Sequence, residues 1–99
     1  MNPHTMDILL IEKSPDLANL ILSELQGFRV IVHWVESLEV AEIVLKKVPI
    51  QLVLMGEAFH GHDPFQSHSV HHYRSEDILN KNILSFIQSF IQKIEEGHR

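Results

Sequence analysis

Ninety-nine residues, 44% hydrophobic and 21% charged, amount to a single domain and exclude a disordered or collagen-like chain. Eight Lys and Arg against 13 Asp and Glu leave a formal charge of −5, which argues against a nucleic-acid partner and against a polybasic membrane anchor. The absence of cysteine removes disulfides, thiolate metal sites and thiol catalysis, and no apolar run nears the ~20 residues of a membrane span.

The first five residues are too short and polar for a signal peptide, so the expected compartment is the cytoplasm. Ile8-Leu9-Leu10-Ile11 is an apolar run too short for a helix and predicts a strand covered on both faces. Ser14-Pro15-Asp16 supplies a helix cap, a proline for the first turn and an acid for the helix dipole. Leu17, Leu20, Ile21 and Leu25 follow at helical spacing, and Gly27 ends the helix of 14–26. Arg29 to Val35 alternates, with Val30, Val32 and Trp34 on one side and Arg29, Ile31, His33 and Val35 on the other. Its mixed second face predicts a strand at a sheet edge. Ser37 caps a second helix over 38–48 that ends before Pro49, and Leu52-Val53-Leu54-Met55 is a third short strand.

This order, β-α-β-α-β over residues 7–59, requires parallel pairing and right-handed crossovers, hence an α/β layered fold. Residues 60–74, HGHDPFQSHSVHHYR, form a polar His-rich loop in which 69–73 can be extended into a fourth strand near Val70. Residues 75–96 predict one long amphipathic helix. Its apolar set is Ile78, Leu79, Ile83, Leu84, Phe86, Ile87, Phe90, Ile91 and Ile94, and Gly97 lies just beyond it.

The stretch Ile8-Leu9-Leu10-Ile11-Glu12-Lys13-Ser14-Pro15-Asp16 resembles the start of a response-regulator receiver domain, where an apolar strand ends in an acidic pair before a proline-initiated helix. Gln51-Leu52-Val53-Leu54-Met55-Gly56 resembles the strand that carries the family's phosphoacceptor. Phe59-His60-Gly61-His62-Asp63-Pro64 is similar to its following loop, and Arg74-Ser75 sits where a Lys-Pro pair precedes the last helix. The resemblance implies a small flavodoxin-like parallel sheet with strand order 2-1-3, and the fourth strand beyond.

It also implies a degenerate phosphoacceptor pocket at Glu12, Lys13, Gly56, Glu57 and Arg74. Gly56 has no side chain to phosphorylate. Glu57 is one residue displaced, which in a continuous strand turns it to the opposite face. Lys13 puts a cation where the second acid would hold magnesium, and Arg74 keeps the charge of the family's lysine but not its shape. Only 17 residues separate Gly56 from Arg74, where a complete receiver has room for two helices and a strand. The expectation is a pseudo-receiver with no enzyme activity and no resident cofactor, acting through a protein partner in signalling or regulation.

The alternative lies in the histidines, five of the eight falling between His60 and His72. Imidazole is the commonest transition-metal ligand, and His60, His62, His68, His71 and His72 could hold zinc, nickel or copper. Their spacing matches no established zinc motif, and the competing reading is a polar, pH-responsive loop. Self-association is the last expectation. A shortened chain leaves one sheet face thinly covered, and Ile83, Phe86, Ile87, Phe90, Ile91 and Ile94 would form a homodimer interface.

Overall fold

The computed structural model describes residues 6–59 and 68–97, with backbone alone for 94–97. Its elements run β1 (Met6–Ile11), α1 (Pro15–Glu24), β2 (Val30–Val35), α2 (Leu38–Lys47), β3 (Leu52–Met55), a 3₁₀ turn (Glu57–Phe59), β4 (Val70–His72), α3 (Ser75–Leu79) and α4 (Asn82–Gly97). The four strands form one parallel sheet in the order β2-β1-β3-β4, the α/β layered, flavodoxin-like arrangement expected, with the fourth strand realised at Val70–His72.

β1 is central. Ile8 lies beside Val32 on one flank and Leu52 on the other, and Ile11 lies between Val35 and Met55. A strand paired on both edges and covered on both faces needs apolar side chains in both orientations, hence its continuous apolar run. The chain moves outward from β1 to β2, then back past β1 to β3. With right-handed crossovers this reversal places α1 and α2 on opposite faces. Under α1 and α4 lie Ile8, Leu10, Ile21, Leu54, Ile83 and Ile87. Under α2 lie Leu9, Ile11, Ala41, Val53, Met55 and Phe59.

Local chemistry sets the helix ends. Ser14 Oγ accepts from the Leu17 N–H and Ser37 Oγ from the Val40 N–H, each at 3.3 Å. Gly27, at φ 95°, turns the chain from α1 towards β2 in a conformation glycine adopts without Cβ strain. Val48 is already extended before Pro49.

Three expectations change. The single helix of 75–96 is two helices, because Lys81 stands at φ 65° and Asn80 Oδ1 accepts from the Asn82 N–H at 3.1 Å, stopping one helix and starting the next. The thinly covered face is not thin among the described residues. Leu9, Ile11, Val53 and Met55 are fully buried, since Ile50, Phe59 and Val70 pack beside α2. Within the expected interface set, Ile83 and Ile87 are core side chains of the chain itself. Phe86, Phe90 and Ile91 are half-buried against the same core, and the Ile94 side chain lies outside the description.

Candidate functional site

The strand register assembles the site. Ile11, Met55 and His72 lie side by side across β1, β3 and β4, so the residues that follow, Glu12, Gly56 and Tyr73, form a row along the carboxyl edge of the sheet. Backbone bonds hold that row: the Glu12 N–H donates to Val35 O, the Gly56 N–H to Ile11 O and the Tyr73 N–H to Met55 O, at 2.9 to 3.1 Å. The row lies between β1 and β3, where the winding direction reverses and where open α/β sheets leave a crevice.

Glu12 is buried, and its carboxylate is fully engaged. Tyr73 O–H donates to Oε1 at 2.6 Å and the Ser14 N–H donates to Oε2 at 3.0 Å. The Glu12 carbonyl accepts from the Trp34 indole N–H at 2.9 Å. A buried carboxylate without such donors would be costly, so these bonds account for the acid in an apolar setting. Tyr73 is also buried. Burial, then the hydrogen bond to Glu12, then the negative charge of Glu12 push its phenol well above the ordinary tyrosine range.

Gly56 lies directly under this pair. A Cβ at position 56 would stand 2.6 Å from Glu12 Oε1 and 3.1 Å from the Tyr73 hydroxyl. The volume that an aspartate would need there is filled by a carboxylate and a phenol from elsewhere in the chain.

The outer wall differs from expectation at two residues. Glu57 is not turned away: the strand ends at Met55, and the 3₁₀ turn swings Glu57 back over the cleft. Its Oε1 accepts from both the N–H and the Oγ–H of Ser75 at 2.6 Å. Lys13 lines the cleft as expected, its ammonium over the Phe59 ring at 5.8 Å from the centroid. Arg74 leaves the pocket altogether. It is exposed and precedes α3, where its N–H donates to Asp77 Oδ2 and its carbonyl accepts from the Asp77 N–H, both at 2.9 Å. What remains is a cleft of about 260 Å³ walled by Glu12, Lys13, Ser14, Glu57, Tyr73 and Ser75. It offers acceptors and hydroxyls but no side chain at Gly56 to carry a covalent group.

Tyr73 and Ser75 were missed from sequence because both are contributed by the segment after β4, whose register is not locally encoded. One signal was available: a glycine closing a fully buried strand marks a close approach by another group.

Of the histidine set, His60 and His62 lie outside the described residues. His71 and His72 are consecutive on β4 and so point to opposite faces. His71 stacks on Phe86 with ring centroids 3.8 Å apart and planes 10° from parallel. Burial lowers its pKa, with Asp77 acting in the opposite direction and His72 reinforcing the decrease. Elsewhere on the sheet, His33 Nε2 lies 3.0 Å from Asp7 Oδ1. Among the described residues no helix is long and apolar enough to cross a membrane.

No family model, no curated protein and no solved structure matches this chain. The resemblance to receivers therefore rests on its own residues.

Proposed function

We propose that the chain is a non-catalytic, phosphorylation-independent pseudo-receiver that works through protein–protein contacts in signalling or regulation. The observation that carries this reading is the Glu12–Tyr73 pair seated over Gly56, 2.6 Å apart and closing the position a phosphoacceptor would need. Phosphoryl transfer to a carboxylate requires a nucleophile free to meet the phosphorus in line, with its charge held by a cation. Both oxygens of Glu12 are engaged, and Glu57 Oε1 takes two donors from Ser75.

Incubation with acetyl phosphate and magnesium, followed by intact-mass spectrometry, should find the chain mass unchanged. An acid-labile phosphoryl adduct on Glu12 or Glu57 would overturn the reading.

A further inference from the structure

β2 is an edge strand, and among the described residues nothing pairs with its outer side. The carbonyls of Arg29 and Val35 accept from Met6 and Glu12, so residues 29, 31, 33 and 35 direct their backbone groups at β1. Alternation then turns both the N–H and the C=O of Val32 and Trp34 outward. The Val30 N–H is already taken by Phe28 O at 2.9 Å. Natural edges are blunted by lysine, proline or a bulge. VIVHWV has none of these, and its register with β1 runs unbroken over six residues.

The α1 flank of this edge is apolar, and the α2 flank is mixed, holding the His33–Asp7 pair beside Ile31. On the α1 side a groove of about 390 Å³ is lined by Leu22, Leu25, Phe28, Val30 and Val32, among others. On the α2 side Ile31 is 49% exposed. An added strand must therefore be apolar on the α1 side and mixed, apolar with a polar group, on the α2 side. β2 itself has that composition, with Val30, Val32 and Trp34 on one side and Ile31, His33 and Val35 on the other.

We propose that β2 pairs antiparallel with β2 of a second copy about a two-fold axis normal to the sheet, making one continuous sheet across both chains. This rests on the protein-contact reading above and names one partner. Such an axis keeps each face on its own side, so directly opposed residues must share a face. The register that uses both residues with fully outward groups sets Val32 against Trp34 of the second copy. His33 then lies on the axis, opposite His33 of the second copy, in a non-hydrogen-bonded pair. β4, with only three residues, offers a much shorter edge.

The chain has no native cysteine, which makes the axis directly testable. Opposed residues of a non-hydrogen-bonded pair stand about 4.5 Å apart at Cα, within disulfide reach. Oxidised His33→Cys should run as a covalent dimer, whereas Leu79→Cys, on a side chain 74% exposed, should stay a single chain. Light scattering after size exclusion should give the wild type about twice its 11.4 kDa mass. Ile31→Lys should return it to one chain with unchanged circular dichroism. A wild type monomeric at tens of micromolar overturns the pairing. So does a dimer that survives Ile31→Lys, fails to cross-link at residue 33 and dissociates with Phe90→Ser. Either result leaves the acetyl phosphate experiment to judge the pseudo-receiver reading separately.

Discussion

Gly56 and Tyr73 are the residues on which the pocket turns, and each makes a measurable claim. Gly56→Ala places a Cβ 2.6 Å from Glu12 Oε1, a contact that forces the carboxylate to move. Overpacking of this kind costs about 1–3 kcal/mol, readable as a lower urea midpoint at unchanged m-value. Tyr73→Phe removes the donor to the same oxygen while keeping the ring, so the expected loss is about 1–3 kcal/mol for a buried acceptor left short of a partner. Tyr73 is the only tyrosine, so its titration can be followed by absorbance without interference. The folded phenol has a raised pKa and holds its proton, whereas the unfolded one ionises near pH ~10. Stability is therefore fully present below pH ~10 and falls as pH rises beyond it. Tyrosinate absorbance should appear only together with unfolding, and an earlier hyperchromic step in the folded protein would contradict the buried pair.

Two elements carry their own tests. The break between α3 and α4 depends on Lys81 holding a left-handed conformation at φ 65°, which costs an ordinary residue about 1–2 kcal/mol. Lys81→Gly should leave stability unchanged or raise it by up to about 1 kcal/mol in thermal melts. Lys81→Val, branched at Cβ, should lower it. A stabilised valine variant would mean that the two helices merge into one. β4 meets α4 through the stack of His71 on Phe86. Because burial lowers the His71 pKa, the unfolded state takes up this proton more readily than the folded one. This contribution is intact above pH ~6.5 and is lost as pH falls through and below that value. His71→Phe should flatten this part of the stability-against-pH curve, as chemical denaturation at pH 5 and 7 would reveal.

For the molecule as a whole, the described residues cover both faces of the sheet and leave exposure at an edge. The single helix α2 suffices on its side because Ile50, Phe59 and Val70 complete the cover, so self-association for lack of a face has no basis here. The free backbone groups of β2 supply a different reason, hydrogen bonding rather than bare area. With eight histidines against a formal charge of −5, protonating all of them would reverse the sign of the net charge. Solubility should therefore pass through a minimum on acidification, visible as turbidity before unfolding.

The sequence by itself determined the order of the strands and of the first two helices, the parallel sheet, the capped starts of α1 and α2 and the edge position of β2. Each of these is written in local periodicity, cap chemistry or the polarity of two alternating faces. It also singled out Glu12 and Gly56, which the structure brings together in one pocket. Only the tertiary structure decided what fills that pocket. Tyr73 reaches Glu12 across 61 positions of chain, and it does so because three residues of β4 pair with β3 in one particular register. The orientation of Glu57 and the position of Arg74 were misjudged for the same reason. The direction of each depends on where a strand stops and a turn begins, and one residue of difference there re-aims a side chain. Hydrophobic period and cap residues are encoded within a few positions, whereas the contents of a crevice depend on long-range pairing that no local window contains.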